Sequence, residues 1–175
     1  MLVEGVLEAY LPEAEWTVLV SSFGYTIGFV IVILGKQQLF TENTLTPILP
    51  LLHDKTLDKF WSVLRLWGIV LFANLLGTWL VALTVAHTSA FDLHVLETFA
   101  KLGHEAMEPG FGTVLLRGVF AGWLIALMVW LLPYAGSARV WIIILVTYVV
   151  AIGHFSHVIA GSMETFTIAA MDEAS

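Results

Sequence analysis

Long apolar runs separated by short polar stretches dominate the pattern of this chain. The first run extends from Thr17 to Gly35, is followed by polar residues 36–38, and continues in a shorter apolar piece that ends at residue 52. A clean apolar run then occupies 66–86, close to the ~20 residues that cross a bilayer as a helix. Two further runs occupy 111–133 and 140–171. These four runs predict four membrane-spanning segments.

Two of the four segments, 17–52 and 140–171, are interrupted by polar residues. Irregular backbone at membrane depth is tolerated only where it is buried in protein or lines a cavity. We therefore predict an all-α integral membrane protein, one domain over residues 1–175, with two broken helices that point to a binding site. The alternative for the first interruption is a spanning helix followed by a loop and an amphipathic surface helix.

The basic residues predict how the chain is oriented. Lys55, Lys59 and Arg65 lie between the first two segments, and Arg139 lies between the last two. These loops are therefore predicted to be cytoplasmic. The acidic loop 87–110 and both termini are predicted to face outside. Because an external, uncleaved N-terminus is unusual, we expect the 175 residues to be part of a longer protein.

Composition agrees with a protein that lives in a bilayer. Hydrophobic residues make up 59% of the chain and charged residues 12%, with a mean hydropathy of +0.91. A free soluble enzyme of this size could not bury so much apolar surface. The net charge of −7, with seven Lys and Arg, argues against a nucleic-acid partner. Without cysteine there is no disulfide scaffold, thiolate metal site or Cys nucleophile.

His154 and His157 are the sharpest candidates for chemistry. Ionisable residues inside a membrane are expensive and usually functional. From the residues alone, His157 is either a protonatable group in a channel or a histidine that holds helices together. A third hypothesis, from the i,i+3 spacing on a helix, is a haem- or metal-binding electron-transfer or enzyme subunit that uses both histidines. A metal site needs three or four ligands, and Glu164 is the only nearby carboxylate.

Small residues along the apolar runs predict close helix packing. The spacing Gly-x-x-x-Gly occurs twice, and an Asn-x-x-Gly stretch follows the same logic. The predicted packing positions are Gly24, Gly28, Gly118, Gly122, Asn74 and Gly77.

Four stretches in order resemble the formate/nitrite transporter family. Residues 35–46, with Leu-Phe-Thr, resemble the family's second segment, in which this motif lies in a loop that breaks the helix. Residues 72–78 resemble its Asn-x-x-Gly third segment, and 117–130 resemble its fourth. Residues 155–160 resemble its fifth, the Phe-x-His-x-x-Ala stretch that carries a central histidine.

The resemblance implies a six-span, aquaporin-like inverted-repeat channel that assembles as a homopentamer with one pore in each protomer. It implies transport of small anions such as formate, nitrite or hydrosulfide across a bacterial inner (cytoplasmic) membrane, with no cofactor and no enzyme activity. The family's first and sixth spans are expected to lie outside these residues. The remaining hypothesis is an accessory bundle without a pore.

The family pattern also suggests roles for individual residues. Phe40 would constrict the pore, Thr41 would contact the anion, and His157 would protonate it. The family's substrates are conjugate bases of weak acids, and the neutral acid crosses an apolar constriction far more cheaply than the anion. Asn43 and Ser156 are further pore-lining candidates.

The sequence departs from the family pattern at two positions. Gly122 and Gly161 stand where many members carry asparagines that help to bind substrate or orient the histidine, so a less polar pore is expected. The family's external basic residue has no secure match, although Lys101 and His104 are candidates. A weaker positive mouth would steer anions less well.

Overall fold

The computed structural model describes residues 1–174, and within that range it contains no β-strand. Short 3-10 turns occur at Glu42–Thr44, Leu132–Tyr134 and Gly136–Ala138. The α-helices are α1 Leu2–Tyr10, α2 Thr17–Leu34, α3 Ile48–Asp54, α4 Leu57–His87, α5 Leu93–Met107, α6 Phe111–Leu131, α7 Arg139–Ile152 and α8 Val158–Ala174.

Three helical segments of the described chain are long and apolar enough to cross a membrane. They are α2, α4 and the segment Phe111–Tyr134, which is α6 with the turn that follows it. Helix α7 lies in a shorter apolar segment, Gly136–Ile152. Large apolar side chains on these helices are turned outward, as at Phe72, which is 68% exposed. This outer surface fits a bilayer, and the all-helical membrane class predicted from the sequence is confirmed.

Helix α4 begins well before the apolar run at 66–86 that predicted it. The side chain of Thr56 accepts a hydrogen bond from the backbone N–H of Lys59 at 3.4 Å and so caps the helix. Lys59, in the first turn, is half-buried, and Arg65, two turns further on, is exposed. Apolarity therefore marks only the part of the helix that suits lipid, whereas the cap sets where the helix starts.

Two helices lie where the sequence predicted only acidic polar segments. Helix α1 occupies the N-terminal stretch, and α5 occupies the predicted outer loop. Helix α5 buries Val95, Phe99 and Gly103, which are spaced four residues apart. That spacing is the signal of an amphipathic helix, and it is visible in the sequence.

The buried residues form two clusters. One joins α2, α6 and α7 around Phe29, Ile125 and Ile143. The other joins α1, α4, α5 and α8 around Phe99 and Val85. The cleft between these two groups of helices contains the polar residues described below.

Helix α1 crosses α2 at Gly24. A methyl group on Gly24 would lie 2.5 Å from the backbone nitrogen of Glu4, which is far inside van der Waals contact. Close packing of the predicted kind is therefore present there. An added methyl group would meet open space, or at nearest a carbonyl oxygen at 3.9 Å, at the other glycines of the set: Gly28, Gly77, Gly118 and Gly122.

We predict that Gly24→Ala destabilises the protein by about 1–3 kcal/mol, because the methyl group must push the backbone of α1 away from α2. Gly28→Ala, on the same helix, is the matched control and should change stability by less than about 0.5 kcal/mol. Unfolding of the purified protein in detergent measures both. Equal losses from the two substitutions would contradict this account of the α1–α2 contact.

Candidate functional site

Helices α2 and α7 end in the same way. After α2, Gly35 is followed by Lys36 in the left-handed conformation (φ 52°), and after α7, Gly153 is followed by His154 with φ 48°. In each case the next backbone N–H donates to the carbonyl five residues earlier, at 2.9 Å after α2 and 3.0 Å after α7. This is the Schellman type of helix end, which reverses the chain direction and leaves the following residues without helical hydrogen bonds.

The chain segments that follow these two ends meet at one hydrogen bond. The hydroxyl oxygen of Thr41 lies 2.7 Å from Nε2 of His157. His157 is 6% exposed and directly precedes α8. Phe29 packs edge-on against the imidazole with ring centres 5.1 Å apart. The structure therefore brings together two residues that are 116 positions apart in the chain and that the sequence singled out separately.

The other ring nitrogen of His157 indicates how the protons are arranged. The backbone N–H of Ala160, in the first turn of α8, donates to Nδ1 at 3.3 Å. Because Nδ1 accepts this hydrogen bond, the proton of the neutral ring lies on Nε2 and is donated to Thr41. The oxygen of Thr41 is then the acceptor, and its hydroxyl hydrogen is available to another group.

Asn74 of α4 holds the loop that carries Thr41. The backbone N–H of Phe40 donates to Oδ1 of Asn74 at 2.9 Å, and Nδ2 of Asn74 donates to the carbonyl of Gln38 at 3.0 Å. The side chain thus satisfies two backbone groups that no helix satisfies. The sequence pattern predicted only a helix-packing role for Asn74 and did not indicate these hydrogen bonds to the loop. The available signal was an amide in the middle of an otherwise apolar run.

Further hydrogen bonds fix the loop from within and from α4. The indole N–H of Trp67 donates to the carbonyl of Asn43 at 3.0 Å, and the amide of Asn43 donates to the carbonyl of Leu39 at 2.9 Å. The hydroxyl of Thr44 donates to the carbonyl of Thr41 at 2.7 Å. The side chain of Asn43 therefore serves its own loop, although the sequence made it a pore-lining candidate.

An open cavity of about 1320 Å³ lies on one side of His157. Of the residues proposed from the sequence, Ser156, His157 and Gly161 line it, and so does Gly118. Phe40 and Thr41 are half-buried behind His157 and do not line it, and Gly122 lies on the exposed surface of α6. His157 is thus the boundary between the cavity and the loop.

The cavity carries more acidic than basic side chains. Lys101 lines it, whereas His104 does not. The amine of Lys101 lies 3.0 Å from a carboxylate oxygen of Glu8 and 3.9 Å from Glu105. The hydrogen bond and the charge of Glu8 raise the pKa of Lys101, so the amine stays charged but is offset by its partners. The carboxylates on the lining are Glu4, Glu8, Glu13, Glu105 and Glu164.

The shared helix face predicted for His154 and His157 is wrong. Both lie in the non-helical segment between α7 and α8, because the left-handed conformation of His154 ends the helix. His154 is exposed, whereas His157 is buried against Phe29. Among residues 1–174 no group of three or more side chains could hold a metal ion. The structure gives the haem or metal hypothesis no support.

The family model described as formate/nitrite transporter matches residues 1–174 of this chain. The chain belongs to the formate/nitrite transporter family. This match confirms the resemblance that the four motifs suggested. Because the family consists of transporters, the chain is not an enzyme.

Relatives within the formate/nitrite transporter family extend the comparison. Inner membrane protein YfdC of Escherichia coli (strain K12) is 38% identical, over 94% of this chain and 53% of YfdC. The uncharacterized transporter YrhG of Bacillus subtilis (strain 168) is 31% identical, over 86% of this chain and 58% of YrhG. A formate-nitrite transporter of Plasmodium knowlesi is 28% identical, over 89% and 52%. The chain thus spans little more than half the length of these family members.

We predict that Asn74→Leu destabilises this formate/nitrite transporter by about 1–3 kcal/mol, because an N–H and a carbonyl of the loop lose their partners. Thr84→Val is the control on the same helix, since it removes only a hydrogen bond to the helix's own backbone. Unfolding in detergent measures both variants. A loss no larger than that of Thr84→Val would show that Asn74 does not hold the loop.

Proposed function

We propose that the protein moves small monovalent weak-acid anions across a membrane through a pore that passes Thr41 and His157. The observation that carries this proposal is the 2.7 Å contact between these two side chains, made by the chain segments that follow α2 and α7. Family membership and the name of the Plasmodium knowlesi relative, a formate-nitrite transporter, support formate and nitrite as the substrate class. Hydrosulfide has the same charge and the same weak-acid chemistry.

The anion binds at the hydroxyl of Thr41. The oxygen of Thr41 accepts from His157, so its hydrogen is free to be donated to an anion. The first turn of α8 starts at this point, and the positive end of a helix dipole favours a negative charge. Together these groups replace part of the water that the anion must leave behind.

The imidazole of His157 supplies the proton. It is neutral at rest, because Nδ1 accepts the N–H of Ala160. An anion beside the ring favours a second proton on it, and the anion then leaves with one proton as the neutral acid. The apolar ring of Phe40 excludes hydrated ions and admits the neutral acid.

Few other polar side chains hold the anion. Gly161 lines the cavity one turn into α8, and a methyl group there would have no atom within 4 Å. A methyl group on Gly122, on the exposed surface of α6, would also have no atom within 4 Å. Gly122 and Gly161 have no side chain, so neither position supplies the amide donor that an asparagine would supply. We therefore expect weaker binding of the anion than in family members that carry asparagine.

The complete protein adopts an aquaporin-like, inverted-repeat channel fold in this proposal. The two matching helix ends support it, since the chain segments that follow α2 and α7 come into contact at Thr41 and His157. Assembly as a homopentamer in an inner membrane completes the proposal. The broad apolar exposure of α2, α4 and α6 suits contact with lipid and with neighbouring protomers.

We predict that His157→Gln and Thr41→Val each lower the flux of formate into liposomes at least tenfold. Each variant removes a hydrogen bond at the point where the anion is desolvated, worth about 1.5–3 kcal/mol when a charged group takes part. Thr41→Ser keeps the hydroxyl and should retain most of the flux. The complete protein encoded by the gene is used, with formate, nitrite and hydrosulfide tested over a range of pH.

His154→Gln is the matched control, because His154 is exposed in the same segment and makes no contact with Thr41. It should leave flux within about twofold of the natural protein. Normal flux in His157→Gln would contradict the proposal. Equally fast passage of chloride, the anion of a strong acid, would contradict the protonation step.

A further inference from the structure

Three polar side chains from three different helices line the same cavity. They are Glu4 on α1, Tyr25 on α2 and Glu164 on α8. Tyr25 is buried in the wall of the cavity that both carboxyl groups also line. We call this group the Glu–Tyr cluster, and nothing in the proposed path of the anion uses it.

Two buried hydroxyls in the cavity wall have no hydrogen-bond partner among residues 1–174. The hydroxyl of Tyr25 belongs to a side chain that is 9% exposed, and that of Ser22 to one that is 1% exposed. An unsatisfied buried hydroxyl costs about 1–3 kcal/mol, so such groups are normally paired with protein or water. Both residues line the cavity, which is large enough for water molecules to reach them.

The charge of the cluster selects what it can bind. The amino group of Met1 lies 3.4 Å from a carboxylate oxygen of Glu4. Glu164 has no cationic partner within 4 Å among the described residues. A half-buried carboxyl without a partner avoids the cost of an unpaired charge by holding a proton.

The remaining charged groups around the cavity do not change this conclusion. Helix α5 contributes Lys101, which is offset by Glu8, and also Glu105 and His94. Helix α6 contributes Arg117, and the segment before α8 contributes His154 and His157. Helix α4, which packs against α8, contributes no residue to the lining. The cluster is therefore suited to a proton and opposed to an anion.

We propose that the Glu–Tyr cluster is a proton-loading site, in which Glu164 takes up a proton from the outer solution and passes it through cavity water to His157. The inference rests on the proposed function, in which His157 gives a proton to the anion. The O–H bond of the Glu164 carboxylic acid breaks, and an N–H bond of the His157 imidazolium forms. The carboxylate is reprotonated from solution, so one proton crosses with each anion. Tyr25 orders the water between the two residues.

The test uses the complete protein in liposomes that enclose a pH-sensitive dye, with formate added outside. Glu164→Gln should slow formate-driven proton uptake at least tenfold above neutral pH, the lower end of what a positioned proton donor contributes. Proton uptake by Glu164→Gln should recover at low pH, because the higher proton concentration lets protons reach His157 without first binding to Glu164. Glu164→Asp keeps a carboxyl and should retain most of the rate.

Tyr25→Phe removes only one hydroxyl group and should also slow proton uptake, as Glu164→Gln does. Glu105→Gln is the matched control, because Glu105 is an exposed carboxylate on the same cavity. Its proton uptake should stay within about twofold of the natural protein. Infrared difference spectra provide a second readout, because the band of a protonated carboxyl should be present in the natural protein and lost in Glu164→Gln.

The outcomes separate the two proposals. If His157→Gln abolishes proton uptake while Glu164→Gln leaves it and the carboxyl band unchanged, the proton-loading site is wrong and the proposed function stands. If His157→Gln leaves formate flux intact, the proposed function itself fails. A flux that depends on sodium instead of pH would mean that the cluster binds a metal cation, and would overturn the proton assignment.

Discussion

The hydrogen bond between Thr41 and His157 depends on where two helices, α2 and α7, end. Glycine followed by a left-handed residue ends α2 and α7, and each ending releases a short segment of backbone into the cleft between the two buried clusters. Left-handed conformation costs a residue other than glycine about 1–2 kcal/mol. The protein carries that cost at both helix ends, at Lys36 and at His154, and places a hydroxyl and an imidazole in contact.

Acidic side chains outnumber basic ones around the cavity. Positive charge at the entrance of an anion channel raises the rate at which anions enter it. Here the positive charge of Lys101 is neutralised by its ion pairs with Glu8 and Glu105. Carboxylates in the wall repel the anion but attract protons. If the transported species is the neutral acid, attracting its proton matters as much as attracting the anion, and an acidic cavity that ends at His157 serves that purpose.

Much of this architecture is predictable from the sequence, and particular residues explain where prediction stopped. Apolar runs reveal α2, α4 and α6 because lipid imposes length and composition on them. Thr41 and His157 stand out because polar residues inside such runs are rare. Their contact, across 116 positions, is not predictable from local pattern, and neither is the bond from Asn74 to the loop. Helices α1 and α5 were missed because they are amphipathic and acidic.

The measurement that tests this account most directly is a double-mutant cycle on formate flux, with Thr41→Val, His157→Gln and the two combined. If the two side chains act as one hydrogen-bonded unit, the double variant should be no slower than the worse single variant, because either change already breaks the pair. Losses that simply multiply would mean that Thr41 and His157 act independently, and the contact at the centre of this account would not be the site of transport.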